Sequence, residues 1–450
     1  MIGKEKLLKT LENVLAHSRA DQTEIVYIGT DFGLTRYANS FIHQNVFEKN
    51  SQIFFRSIVG KRIGVASTNS LVPADLKKTL NDSLEIARNQ RENPDFPGLP
   101  KPAKYRDLDT FDEITAAYSP RDRAKAVKQI IGEAGRKKFT MAGSLSNIAG
   151  EAAIVNSLGV RAYQPASAVS VNMIAMSDTS SGYAAGASRR VDDMDFVALA
   201  RTAVEKCDRS QNPQAMEPGE YEVILEPSAI SELLDWLNYI GFGSKPFEQK
   251  MSFLSGKIGK KITSDKVTLY DNGLDDKAFA FPFDFEGVPK KKVLFVDKGI
   301  ARGVVHDRTS AFKSKTKSTG HALPPSFASY GAMGTNIFMA PGKVKRDQMI
   351  SKVKRGILVT RFHYINGFID PQNAMLTGMT RDGTFLVEDG EIKHGIKNLR
   401  FTDSFTRAFK STIAMSKETA QLAGNSDFIG CMTVPTVHLG SFRFSGKTDF

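Results

Sequence analysis

The sequence predicts an α+β chain, with an N-terminal helix-and-sheet domain followed by a mostly antiparallel β domain. Three observations carry this reading. Apolar spacing alternates between helical and strand periods through the first half of the chain. A polar stretch, Ser210–Gly219, holds Pro213 and Pro218 and separates a helical segment from a new strand. Beyond it the chain turns to Gly-rich, short strand-like segments with few helical ones. The expected domains are residues 1–215 and 216–450.

In order, Leu7, Leu8, Leu11, Val14 and Leu15 repeat at helical spacing over Lys4–His17. Strand patterns follow at 24–29, 34–38, 42–47 and 52–59, with a turn at Gly60–Gly64. Pro73–Arg91 reads as a helix, its apolar face made by Leu76, Leu80, Leu84 and Ala87, with Pro73 at the first turn. The proline-rich stretch Asn93–Pro102 reads as a surface connection. Ser119-Pro120 opens a helix to about Lys137, Ser as N-cap and Pro at the next position. Strands are expected at 139–147, 151–156 and 169–176, then a helix over Asp193–Asp208. After the break come a strand, Glu220–Leu225, and a helix near Ser228–Tyr239. A last helix is expected near Ser404–Ser416. No internal repeat has a fixed period.

Composition narrows the function classes. Hydrophobic residues make up 41% and charged residues 24%, which fits a packed globular chain. No apolar run reaches the roughly 18 residues that a membrane span needs. No continuous apolar segment follows Met1, so no signal peptide is expected. Cys207 and Cys431 cannot form a disulfide framework, and a reducing, cytoplasmic setting is expected. The net charge is +12. It falls in short runs such as Lys290–Lys292 and Lys313–Lys317, without regularly interleaved aromatics. Solvation or an acidic partner is therefore favoured over nucleic-acid recognition.

Searches for catalytic motifs are mostly negative. Gly446-Lys447-Thr448 lacks the earlier Gly of a P-loop, since position 441 is Ser. No Gly-x-Ser-x-Gly elbow, His-Glu-x-x-His or Cys-x-x-Cys is present. Ser255 and Lys257 are close in sequence, as flexible loops often make such pairs. His306, His321 and His363 remain candidates for a metal site assembled from distant segments. Several clusters read equally well as turn chemistry or as a site. They are Asp284–Pro289, Ser318–Ala322, the strand Arg361–Asn366 with Arg361, His363 and Ile365 on one face, and the dense loop Thr377–Gly383.

Taken in order, these clusters resemble the TldD/PmbA family, also known as the "modulator of DNA gyrase" metalloproteases (peptidase U62). The first part matches at Leu34–Asn45 and Gly64–Asn69. The second matches at Ser252–Gly259, Phe283–Pro289, Ser318–His321, Arg361–Asn366, Leu376–Thr384 and Glu388–Ile392. The resemblance implies cytosolic dimers acting in proteolysis on extended peptides. One subunit carries His-Glu-x-x-x-His plus a Cys ligand for zinc, and the other is metal-free. That motif belongs on the helix after the first strand of the second part. Here the slot reads Glu226-Pro-Ser-Ala-Ile-Ser231. Glu226 and Ser231 stand where the two His would be, and Pro227 stands where the catalytic Glu would be. Proline is no general base and a Ser hydroxyl is a poor zinc ligand. Cys431 lies only four residues before Pro435, too near to match the family's ligand Cys. The slot also reads as plain structure, with Glu226 capping the helix and Pro227 starting it.

The expectation is therefore a PmbA/TldE-like, non-catalytic subunit with no cofactor of its own. Zinc is expected in a TldD-like partner, in a heterodimer, with a homodimer as the alternative. His321, Arg361, His363 and Arg381 are the expected substrate-cleft residues. Two other readings stay open: a stand-alone metallopeptidase with a non-standard metal site, and a nucleic-acid- or gyrase-associated binding protein.

Overall fold

The computed structural model describes residues 1–424 and 430–448. The first domain runs α1 (Lys4–Leu15), β1 (Gln22–Ala38), β2 (Phe41–Val59), β3 (Arg62–Thr68), α2 (Pro73–Asn89), α3 (Glu113–Ala116), α4 (Pro120–Gly135), β4 (Thr140–Asn156), β5 (Arg161–Met176), β6 (Ser181–Ser188) and α5 (Phe196–Arg209). Its strands form one antiparallel sheet, in the order β3-β2-β1-β4-β5-β6. Side-chain alternation gives the sheet two distinct faces. Ile25, Tyr27, Ile53 and Phe55 meet Leu7, Leu11, Leu76 and Leu80 of α1 and α2. Met141, Leu145, Val171 and Met173 meet Val127, Ile130, Ala200 and Ala203 of α4 and α5. The opposite face turns Val26, Phe54, Ile154 and Ala162 toward Phe283 of the second domain.

The strands run longer than their sequence suggests. β1 is continuous over 17 residues, through Gly29 and Gly33, where the sequence reads two pieces. Gly33 is a space rather than a break, since a Cβ there would lie 2.3 Å from Arg123 Nη1. Arg123 is 1% exposed. It donates to Thr35 Oγ1, Asn147 Oδ1, Asn45 Oδ1 and the Tyr118 carbonyl. The Ser119 cap forms as expected, with Asp122 reciprocating in a capping box. The proline-rich connection is not simply superficial. Phe96 and Leu99 are buried against Ile58, and Arg308 of the second domain donates to the Gly98 and Leu99 carbonyls.

The second domain runs β7 (Gly219–Leu225), α6 (Pro227–Leu237), α7 (Ser244–Glu248), β8 (Leu269–Asp271), β9 (Val293–Asp297), β10 (Ile300–Ala301), α8 (Arg308–Lys313), β11 (Asn336–Met339), α9 (Arg346–Ile350), β12 (Arg355–Asp370), β13 (Met375–Glu388), β14 (Glu391–Gly395), β15 (Leu399–Ser404), α10 (Phe405–Lys410), β16 (Thr412–Ala423) and β17 (Cys431–Lys447). Strands β7, β12, β13, β15 and β17 pair in succession, and β17 returns to β7, closing a five-membered ring. Only β7–β12 and β11–β17 are parallel among the described pairings. Phe362, Phe401, Phe442 and Phe444 belong to its core, into which α6 packs Ile230, Leu233, Leu234 and Leu237. No helix among the described residues is long and apolar enough to cross a membrane.

Three expectations are corrected here. The helix expected over Ser404–Ser416 stops at Lys410, after Phe405 and Phe409 stack at 3.8 Å, and Thr412–Ala423 pairs with β17 as a strand. β-branched Thr412 and Ile413 suit that switch. The segment Thr377–Gly383 is no loop but part of β13. Asp382 (φ 54°) and Gly383 (φ 116°) form a bulge opposite Thr360, which bends the strand without ending it. The second domain's strands are not uniformly short, since β12 has 16 residues and β17 has 17.

Candidate functional site

The slot at the head of α6 is built by local chain chemistry. β7 delivers the chain to Glu226, whose extended backbone precedes Pro227 at the first helical position, where a missing N–H costs nothing. The Glu226 side chain does not cap the helix, contrary to the sequence reading. It reaches instead to two cations. Lys206 Nζ of α5 donates to Oε2 at 2.5 Å, and Arg346 Nη2 of α9 donates to Oε1 at 2.6 Å. Burial would raise the Glu226 pKa, but Lys206 and Arg346 outweigh it and hold the carboxyl below its ordinary value.

This donor set does not fit zinc. A zinc ion would enter as a third cation on a carboxylate already shared by two. Pro227 offers it no ligand or base, and Ser231 is a buried hydroxyl. Elsewhere among the described residues, no group of three or more His, Cys, Asp or Glu side chains is arranged to hold a metal. His306, His321 and His363 are not assembled into a site. His321 is wholly buried, with Nε2 2.8 Å from Asp271 Oδ1 and Nδ1 2.9 Å from the Thr319 carbonyl. It is a core residue, and its place among the cleft candidates is withdrawn.

Two neighbouring clefts flank the first turns of α6. The larger, about 680 Å³, is lined by Tyr183, Lys206, Glu226, Ser228, Arg346 and Glu418, among others. The smaller, about 320 Å³, runs between α6 and the second face of the N-terminal sheet. Tyr183, Ala185, Ser228 and Leu422 line both.

Arg361 lies beside the smaller cleft but is not free to greet a ligand. Its Nε and Nη2 donate to Asp382 Oδ2 at 2.8 and 2.6 Å, and its guanidinium stacks 4.3 Å over the Tyr183 ring. Ser181 donates to Asp382 Oδ1 at 2.7 Å, so the pair rivets β6 to β12 and β13. Arg381 is 40% exposed, 3.9 Å from Asp382, and lines neither cleft. His363 is half-buried. Its pKa is lowered by burial first, then by Arg381 and Arg361, so the ring is neutral near pH 7. Arg361, His363 and Arg381 thus cluster, with Arg361 as structure and Arg381 more open than Arg361.

Sequence reasoning missed Glu232, one residue past the slot. Its Oε1 lies 3.7 Å from Arg361 Nη1, and its Oε2 is buried without a hydrogen-bond partner. Burial, opposed by Arg361 and the Phe362 amide, pushes its pKa up to about 8. A lone Glu within Ala229-Ile-Ser-Glu-Leu-Leu234 was the available signal. Lys206 and Arg346 gave none, because they reach the slot from 20 and 120 residues away.

The model for the PmbA/TldA metallopeptidase central domain matches residues 95–210, and that for the C-terminal domain matches residues 218–446. This chain belongs to the PmbA/TldD family. The fold agrees, since TldE from Thermococcus kodakarensis superposes with a TM-score of 0.89 at 22% identity, covering 97% of this chain and 100% of that one. Metalloprotease PmbA of Escherichia coli O157:H7 is 22% identical over 431 residues, 92% of this chain and 88% of the relative. A TldD homologue from Haemophilus influenzae is 28% identical over 209 residues, 46% of this chain and 42% of the relative. Against three archaeal relatives, one an uncharacterized protein and two metalloproteases, the match takes in 62%, 47% and 56% of their length, so the chain spans about half the length of these relatives.

Proposed function

We propose that this PmbA/TldD-family chain is the metal-free subunit of a peptidase, pairing with a zinc-bearing partner and supplying one wall of a peptide chamber. The observation that carries it is the Glu226 carboxylate, held by Lys206 and Arg346 where the family's zinc motif would stand. The slot is closed by an ion cluster rather than left as an open ligand set. The clefts beside α6 then serve as the wall that an extended peptide crosses. The role belongs to cytoplasmic proteolysis, and the zinc-bearing partner is a His-Glu-x-x-x-His relative, a homodimer of this chain being the alternative assembly.

Elemental analysis tests this directly. The purified chain alone should carry no stoichiometric zinc and cleave no peptide. Mixed with a family member bearing His-Glu-x-x-x-His, it should form a complex with zinc and with more peptidase activity than that member alone. One zinc per isolated chain, or a mixture no more active than its zinc-bearing member, would overturn the reading.

A further inference from the structure

The two clefts at α6 differ in charge. The larger is lined by Lys206, Arg209, Lys345 and Arg346 and equally by Glu205, Glu226, Asp347 and Glu418, so its charges balance. Among the described residues, the smaller has no Lys, Arg or His in its lining. Its polar groups include Ser144, Ser146, Ser170, Asn172, Ser228 and Ser231, and among the described residues its one charged group is Glu232. Two other carboxylates bear on that group, Asp382 of β13 and Asp235 of α6. Arg361 of β12 is its neighbouring cation, and Tyr183 of β6 its neighbouring phenol. Arg361 is committed to Asp382 at 2.6 Å and stands 3.7 Å from Glu232. Arg361 is thus shared between Asp382 and Glu232, Asp382 has Arg381 as a second cation at 3.9 Å, and Glu232 Oε2 is left without a hydrogen-bond partner.

We propose that the smaller cleft binds a primary ammonium group, with the Glu232 carboxylate as its charge partner and the serine hydroxyls as its acceptors. An ammonium carries three donors and no acceptor, and hydroxyl oxygens beside a carboxylate meet that need. A guanidinium fits less well. It seeks two carboxylate oxygens side by side, and Arg361 already stands near Oε1. An anion is repelled by Glu232. The ammonium is either a lysine side chain or the amino terminus of an extended peptide. This deepens the peptide-wall reading above and names what that wall selects.

In the empty cleft, Glu232 is protonated through much of the neutral range, because burial opposes its charge more strongly than Arg361 supports it. Binding an ammonium expels that proton. Affinity therefore climbs with pH, by up to about tenfold per pH unit below the Glu232 pKa.

The test uses the full chain without a partner and three tripeptide amides in calorimetric titrations at about pH 7.5. Acetyl-Ala-Lys-Ala-amide carries only a side-chain amine. Ala-norleucine-Ala-amide carries only a terminal amine. Acetyl-Ala-norleucine-Ala-amide carries neither. One amine-bearing peptide should bind about tenfold or more tightly than the neutral one, and which one does so identifies the source. Glu232→Gln should erase the difference. Should that variant misfold, the wild-type chain still decides, since its preference must grow from pH 6 to pH 8. Equal binding of all three peptides, a preference that survives Glu232→Gln, or a preference flat in pH would overturn the proposal. No partner is present, so these outcomes stand apart from success or failure of the zinc-complementation experiment.

Discussion

Lys206 Nζ and Glu226 Oε2 stand 2.5 Å apart across the seam between the domains, one on the last turns of α5 and the other at the head of α6. The pair is buried, with side-chain exposures of 16% and 7%. Removing one member of a buried pair leaves the other charge poorly compensated. Lys206→Met should destabilise the chain by about 2–3 kcal/mol, below the ~3–5 kcal/mol of a fully broken pair because Arg346 remains. Glu226 is held below its ordinary value of 4.5, so its contribution is complete above that pH and is lost as pH falls through the lower folded value. Urea midpoints of wild type and variant should differ at about pH 7 and converge in acid. A variant as stable as wild type at neutral pH would contradict the ion-cluster account.

Glu232 carries the opposite sign. Its folded pKa is raised from 4.5 to about 8, chiefly by burial. The folded state then binds the proton more tightly than the unfolded chain does. Stability falls as pH rises from 4.5 toward 8, and the full penalty is in place above that. Glu232→Gln removes this slope. Urea unfolding across the range should show the variant gaining on wild type toward alkaline pH, and parallel curves would rule the effect out.

Gly33→Ala should be costly although the backbone there is ordinary strand. The added Cβ would meet Arg123 Nη1 at 2.3 Å, in a place where the guanidinium is fixed by Thr35, Asn147, Asn45 and Tyr118. Overpacking of this kind costs about 1–3 kcal/mol. Thermal unfolding measures it, and an unchanged midpoint would mean that Arg123 has room to move.

His321→Ala separates a core role from a cleft role. Loss of the imidazole leaves Asp271 with only the amides of Thr335 and Asn336. Stability should drop by about 2–4 kcal/mol, while peptide binding to the surviving folded fraction stays the same. Weakened binding at unchanged stability would return His321 to the cleft.

Much of this fold can be read from residue spacing. The α1 and α2 stripes, the Ser119–Pro120 start of α4 and the polar break at Ser210–Gly219 depend on neighbours in sequence, and local rules describe neighbours well. What escaped notice depends on distance. Gly33 looks like a break until Arg123, 90 residues later, fills the space beside it. The absence of the family's zinc ligands at Glu226, Pro227 and Ser231 is visible in the chain. That Lys206 and Arg346 occupy Glu226 is not. Arg361 and His321 were picked out by residue type, but their partners Asp382 and Asp271 decide what they do.

The sheet of the first domain is covered on parts of both its faces. Helices take one side, and Phe283 with its neighbours takes the area around Val26, Phe54 and Ile154. Arg56 adds a tether across the same boundary, to Glu24 on its own sheet and Glu286 on the other domain. Severed between α5 and β7, neither half would keep a closed surface. The N-terminal half would present an oily slab and precipitate or seek a substitute lid. Cutting at the polar break should thus yield two fragments that remain associated as a nicked molecule and dissolve only together.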